Sequence, residues 1–205
     1  MKMDVVIAGV GGQGNIFASL VISQYAMNKK LNVLGSETIG AAQRGGSVVS
    51  HIRISDGEIY SPLISRGQAD LLLGMESVEM LRHLRLLSPR GMYLLNALRI
   101  PTVLNNMGLD EYPAQEEILR AIRGYCPQGY VIEASALAKN LGNIQMTNVV
   151  MLGALVKAMP FFDFDEVKWL VNVNSPSRFK EPNSRGFEEG YKLISPTGFK
   201  PQKKA

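Results

Sequence analysis

Apolar positions along this chain follow two rhythms. Asp4 to Ala8 is a short β-branched run that ends at glycines, which predicts a parallel strand buried on both faces. Asn15 to about Asn28 has helical spacing, with Ile16, Leu20, Ser23 and Met27 on one face and Phe17 and Val21 beside it. Asn32 to Leu34 reads as a second strand, followed by a long run of small residues over 35–47. Ser47 to Ser55 alternates, with Val48, Ser50, Ile52 and Ile54 on one side and Val49, His51 and Arg53 on the other. Asp56-Gly57 then predicts a hairpin turn with Glu58 to Ser61 as the returning strand.

The strand–helix rhythm resumes with Asp70 to Gly74 as a strand and Ser77 to Leu87 as a helix capped by Ser77, with Val78, Leu81 and Leu84 as its stripe. Met92 to Asn96 reads as a buried strand and Pro101 to Leu104 as a further short one. Pro113 to Gly124 predicts a helix, Tyr130 to Glu133 a strand and Ser135 to Leu141 a short helix. Met146 to Met159 is apolar almost all round, the mark of a central buried helix, and Gly153 and Ala154 permit close approach to it. Asp165 to Val171 is the last predicted helix. Prolines and lysines then become frequent. Residues 1–176 are therefore read as one α/β domain, and 177–205 as a basic C-terminal arm.

Charge sharpens that division. The net charge of +4 is carried entirely by the last 29 residues: residues 1–176 hold 15 basic and 15 acidic side chains, residues 177–205 hold 7 and 3. A nucleic-acid face, which needs basic clusters on the body, is not expected. Composition is ordinary for a globular domain, at 46% hydrophobic and 20% charged. No apolar run approaches the ~20 residues that span a bilayer, so no membrane association is expected and a cytoplasmic protein is the default. The single cysteine, Cys126, excludes an intrachain disulfide and an iron–sulfur cluster held by four cysteines of this chain. With His51 and His83 the only histidines, no metal site is expected.

Two loops carry candidate chemistry. Gly9-Val10-Gly11-Gly12-Gln13-Gly14 lies between a strand and a helix, where glycines allow a tight turn and the helix N-terminus offers free N–H groups to a phosphate. Glu37, 23 residues beyond Gly14, stands where an acid could hold a ribose. The other reading of the turn is close strand–helix packing alone, and an antiparallel hairpin where a second β-α unit belongs speaks against a full dinucleotide fold. The second loop, Ser36 to Ser47, contains Gln43-Arg44-Gly45-Gly46. Its glycines permit close approach to another surface, and Arg44 is either a donor fork for a carboxylate or phosphate, or a solvated residue. His51 and Cys126 read as structural. No catalytic residue is legible.

Taken together, Gly9 to Gly14, Ser36-Glu37, Ala42-Gln43-Arg44-Gly45-Gly46-Ser47-Val48-Val49-Ser50-His51, Tyr60-Ser61-Pro62-Leu63-Ile64, Glu79-Met80-Leu81-Arg82 and Thr147-Asn148-Val149-Val150-Met151-Leu152-Gly153-Ala154 resemble the gamma-type subunits of 2-oxoacid:ferredoxin oxidoreductases, most of all the small (beta) subunits of indolepyruvate ferredoxin oxidoreductases. The likeness covers roughly the first 160 residues and leaves out the basic arm. It implies a three-layer α/β/α sandwich with a mixed, mostly parallel sheet containing an antiparallel hairpin. It also implies a hetero-oligomeric enzyme that oxidatively decarboxylates an aryl 2-oxoacid with coenzyme A, giving acyl-CoA, CO2 and reduced ferredoxin. Thiamine diphosphate and [4Fe-4S] clusters would lie on a larger partner chain and no cofactor on this chain alone. Gly11, Gly12, Gln13, Gly14, Glu37, Gln43, Arg44, Gly45 and Gly46 are the matching cofactor-binding positions. A stand-alone NAD(P)-binding oxidoreductase and a non-catalytic assembly subunit are the competing readings.

Overall fold

A computed structural model describes residues 1–40 and 45–195. Six strands form one sheet: β1 (Lys2–Val10), β2 (Asn32–Ile39), β3 (Ser47–Ser55), β4 (Ala69–Gly74), β5 (Leu87–Asn96) and β6 (Gly129–Ile132), in the order β2-β3-β1-β4-β5-β6. Strands β1, β4, β5 and β6 run parallel, whereas β3 is antiparallel to both β1 and β2. Successive residues of β1 enter opposite layers: Met3, Val5 and Ile7 join one apolar core, Val6 and Ala8 the other. That two-sided burial is why the strand reads as a continuous apolar run.

Helices cover both faces. On one side lie α1 (Asn15–Asn28), α5 (Ala134–Asn140), α6 (Thr147–Ala158), α7 (Phe164–Asn174) and α8 (Lys180–Lys192); on the other lie α2 (Ser77–His83) and α4 (Gln115–Tyr125). A one-turn helix, α3 (Val103–Asn106), interrupts the connection between β5 and α4. The result is the expected α/β/α sandwich with a mixed sheet. Helix α6 is buried on nearly every side, as its sequence requires. Among the described residues no helix is long and apolar enough to cross a membrane.

Several expectations are corrected. No strand forms at Glu58 to Ser61, because both edges of β3 are already occupied, by β1 and by β2. Residues 101–104 do not form a strand; Thr102 and Asn105 exchange side-chain and backbone hydrogen bonds that start α3 instead. The cap of α2 is Glu76, whose carboxylate accepts from the Glu79 amide, and not Ser77. Helix α1 buries Ala18, Val21, Ile22, Tyr25 and Ala26 and turns Ile16, Leu20 and Met27 to solvent. Its apolar residues encircle it, so periodicity alone could not select the inner face, and the alanines do so by letting the helix approach the sheet.

Within 177–205, read from the sequence as a basic C-terminal arm, residues 177–195 pack against the rest of the domain. Helix α8 lies directly on α6: a Cβ at Gly153 would stand 2.0 Å from the Phe187 carbonyl, and one at Gly190 2.1 Å from that of Val150. Phe187 and Ile194 are buried in the same core as α1 and α6. Residues 196–205 lie outside the described residues.

Candidate functional site

Helix α1 follows β1 onto one face of the sheet and α2 follows β4 onto the other, so a crevice opens at the carboxyl ends of these two adjacent parallel strands. The glycine turn forms its floor. Gly12 has φ +97° and Gly14, the N-cap of α1, has φ +79°, a region that side-chain-bearing residues rarely adopt. No side chain caps α1, so its first-turn N–H groups have no side-chain acceptor, and the Gly11–Gln13 turn that leads into it lines the crevice. Gln13 turns inward: its carbonyl oxygen accepts from the Val10 amide at 2.8 Å and its amide donates to the Met75 carbonyl at 3.1 Å. It thus ties the turn to the end of β4.

The second loop meets the first. The Gly11 amide donates to the Gly46 carbonyl at 2.9 Å, and the Gly40 amide to the Ser47 carbonyl at 2.8 Å. Ser47 Oγ donates to the Glu79 carboxylate at 2.5 Å, whose other oxygen accepts from Arg82 at 2.8 Å. Gly45, with φ +75°, therefore stands beside Gly11 and Gly12, while Gln43 and Arg44 lie outside the described residues. Two adjoining cavities result, of about 290 and 410 Å³, which share Val10, Gly45 and Ile100. The smaller has apolar walls from Leu98, Ile100 and Ile144; the larger is lined by Glu76, Glu79, Arg82 and Tyr112.

Glu37 is not brought to this cleft. It sits on β2, with β3 between it and β1, and its carboxylate accepts from Ser19 Oγ of α1 at 2.8 Å. The ribose-binding arrangement of a dinucleotide fold needs the acid-bearing strand next to β1. That topology is absent from the described residues.

Sequence reasoning missed two buried polar clusters at the cleft. In the first, Asn96 donates from Nδ2 to the Met75 carbonyl and to Ser135 Oγ, both at 2.9 Å; Ser135 Oγ lies 3.1 Å from Thr147 Oγ1, which donates to the Ile144 carbonyl at 2.7 Å. Every hydroxyl proton is thereby assigned, and the chain offers acceptors to the cleft. In the second, buried Glu76 accepts from the amides of Glu79 and Ile100 and from the Tyr112 hydroxyl. Burial and this carboxylate push the Tyr112 hydroxyl well above its usual range. The Glu-x-x-Glu-x-x-Arg spacing of 76–82 was the available signal, but nothing in it told which acids would be buried.

His51 and Cys126 have no place in the cleft. His51 Nδ1 accepts from the Ile64 amide at 3.2 Å. Cys126 is buried, its thiol pushed up by burial, and it donates to the Gly91 carbonyl at 3.2 Å. Among the described residues no group of His, Cys, Asp and Glu could hold a metal ion.

Comparison with known proteins completes the assignment. A model of the pyruvate ferredoxin/flavodoxin oxidoreductase family matches residues 4–193, which brings α8 into the family fold. The chain is 35% identical to the indolepyruvate oxidoreductase subunit IorB of Archaeoglobus fulgidus, over 93% of this chain and 94% of that one. The gamma subunit of a keto/oxoacid ferredoxin oxidoreductase from Geobacter sulfurreducens shares the fold with a TM-score of 0.68 at 22% identity, covering 93% and 97% of the two chains. A chain of the 2-oxoglutarate:ferredoxin oxidoreductase from Magnetococcus marinus does so with a TM-score of 0.71 at 20% identity, over 94% of this chain but 31% of that longer one. By sequence, by topology and by extent, the chain belongs to the pyruvate ferredoxin/flavodoxin oxidoreductase family, as a gamma-type small subunit of a 2-oxoacid:ferredoxin oxidoreductase.

Proposed function

We propose that this subunit serves an enzyme that oxidatively decarboxylates an aryl, indolepyruvate-like 2-oxoacid with coenzyme A, giving acyl-CoA, CO2 and reduced ferredoxin, and that its own cleft receives the coenzyme A. The observation that carries the cosubstrate reading is the make-up of the cleft. The Gly11–Gln13 turn that lines it leads into an uncapped helix N-terminus, which suits phosphate groups, and the apolar walls of Leu98, Ile100 and Ile144 suit a long, mostly uncharged arm. The aryl substrate is supported by the 35% identity to a subunit named for indolepyruvate.

Decarboxylation and electron transfer would be supplied by thiamine diphosphate and [4Fe-4S] clusters when these are bound on the larger chain. A lone buried cysteine suits that division of labour. The residues of this chain bind and orient: the Gly11–Gly14 turn and Gly45 give backbone access, and the Ser135–Thr147 hydroxyl pair supplies fixed acceptors.

The test is ferredoxin reduction by the co-expressed complex with indolepyruvate, phenylpyruvate, pyruvate and 2-oxoglutarate, with and without coenzyme A. Fastest turnover with the aryl acids and strict dependence on coenzyme A is expected. A preference for pyruvate or 2-oxoglutarate would overturn the substrate reading. Unchanged coenzyme A affinity in a Gly12→Val complex would overturn the site.

A further inference from the structure

The connection between β5 and α4, residues 97–114, is far longer than the sheet needs to join these elements. Its inner side belongs to the cleft: Ile100, Thr102 and Tyr112 wall the larger cavity. The segment also carries four exposed large apolar residues within seven positions, of which Val103 and Leu104 border the mouth of that cavity. Val103 is 72% exposed, Leu104 53%, Met107 64% and Leu109 70%. Scattered single exposures are ordinary, but a cluster of this kind marks an interaction site.

The segment is held in one shape. Buried Glu76 accepts from the Ile100 amide at 3.1 Å and from the Tyr112 hydroxyl, pinning both legs to the same carboxylate. The Arg99 guanidinium lies 4.7 Å over the Tyr112 ring and donates to the Pro113 carbonyl. At the tip, Thr102 and Asn105 close a capping box, and the Leu109 amide donates to the Leu104 carbonyl at 3.0 Å. An apolar cluster fixed in advance loses little freedom on docking. Asp110 and Glu111, exposed beside it, supply a polar rim.

We propose that this hook is the element by which the subunit docks on the larger chain of its oxidoreductase, seating Val103, Leu104, Met107 and Leu109 in an apolar groove there. The inference rests on membership of a multi-subunit oxidoreductase and goes beyond the choice of 2-oxoacid. Two observations select this occupant. The hook walls a cleft whose described lining holds no histidine, cysteine or lysine, and the larger chain, which would supply the reacting groups, is placed across the mouth that the hook borders. A second copy seated on the hook would set one cleft mouth against another and shut substrate out of both. The fold also occurs within a chain about three times as long in the Magnetococcus enzyme, where it adjoins further protein of the same enzyme.

The experiment uses the full chain co-expressed with its larger chain. The double variants Val103→Ser/Leu104→Ser and Met107→Ser/Leu109→Ser are compared with wild type and with Ile16→Ser/Met27→Ser on the exposed face of α1. Association measured by interferometry should weaken by about tenfold or more in both hook variants and stay unchanged in the α1 variant. The melting temperature of the small chain should not move, because the substituted side chains are exposed. A photo-cross-linker at position 104 should give an adduct with the larger chain. Unimpaired assembly of the hook variants, or an adduct with a second copy of this chain, would overturn the docking assignment alone. A wild-type chain that fails to assemble with any larger chain would overturn the functional reading and this inference with it.

Discussion

Gly11 donates its amide hydrogen to the carbonyl of Gly46 at 2.9 Å, and through that bond two loops far apart in sequence become one rim of the cleft. Gly12 stands beside this bond. A Cβ there would meet nothing within 4 Å, yet φ is +97°. Any side chain at this position, which lines the smaller cavity, is therefore opposed by the backbone rather than by its neighbours. Gly12→Ala and Gly12→Val should each lower stability by roughly 1–3 kcal/mol. On the proposed reading of the cleft, only valine should also abolish coenzyme A binding, by filling it. Urea denaturation and calorimetric titration of the two variants separate these effects; equal loss of binding in both would contradict the steric account.

The hydroxyl relay under the cleft predicts a cost for a nearly isosteric change. Thr147→Val keeps the shape of the side chain and the Thr147 N–H bond to the Ile144 carbonyl, but leaves the Ser135 hydroxyl without its acceptor. A loss of about 1–3 kcal/mol is expected, the usual penalty for a buried polar group left unpaired. Removing both hydroxyls, in Ser135→Ala/Thr147→Val, should cost less than the sum of the single changes, because each single change strands the other group. A double-mutant cycle in urea measures the coupling, and strict additivity would refute the relay.

Helix α8 shows where the sequence was hard to read and why. Gly186 and Gly190 look like helix breakers, and Pro182 reinforces that impression. The proline falls in the first turn, where a missing N–H is tolerated, and Gly190 is the surface on which the Val150 carbonyl rests. Glycine that serves packing and glycine that ends a helix look alike in one dimension. The same ambiguity runs through the cleft. The turn at Gly11–Gly14 was legible because strand, glycines and helix are contiguous there. The Asn96–Ser135–Thr147 relay was not, because it joins three elements through tertiary contact, and neither was the place of Glu37 away from the cleft, because β3 inserts between β1 and β2. Burial pattern was legible for β1 and α6, whose apolar residues leave no choice of face, and illegible for α1, which offers two.

These glycines predict substitutions of opposite sign. At Gly190 an added methyl must drive α8 away from α6, since backbone atoms stand in its place; Gly190→Ala should destabilise by roughly 1–3 kcal/mol despite the better helix propensity of alanine. At Gly124, inside α4, nothing lies within 4 Å and the backbone is helical. Gly124→Ala should therefore raise stability, by up to about 1 kcal/mol. Urea midpoints of both variants test the pair, and a stabilised Gly190→Ala would show that the helices are not in the contact described.

The two histidines predict how stability responds to acid. Burial is the main cause that lowers the pKa of each. Proximity to His83 adds to it for His51, and the Arg85 and Arg82 guanidinium groups add to it for His83. Glu79 stands 3.9 Å from His83 Nε2 and pulls the other way, but it is already engaged by Arg82 and Ser47. In His51, Nδ1 accepts from the Ile64 amide, so Nε2 carries the proton of the neutral ring, and a second proton would set donor against donor. The unfolded chain, with histidines near pKa 6.5, takes up protons first as the pH falls. Stability is therefore highest above about pH 6.5, declines as the pH drops through that value, and levels once the folded-state pKa values have been passed. Urea midpoints between pH 7.5 and 5.5 should fall accordingly, above the range where ordinary carboxylates titrate, and NMR titration of the native state should place both imidazole midpoints below 6.5. His83→Gln should flatten the decline, since it removes one of the two groups and the repulsion on the other. A midpoint independent of pH across that window, or a native-state histidine titrating above 6.5, would refute the arrangement.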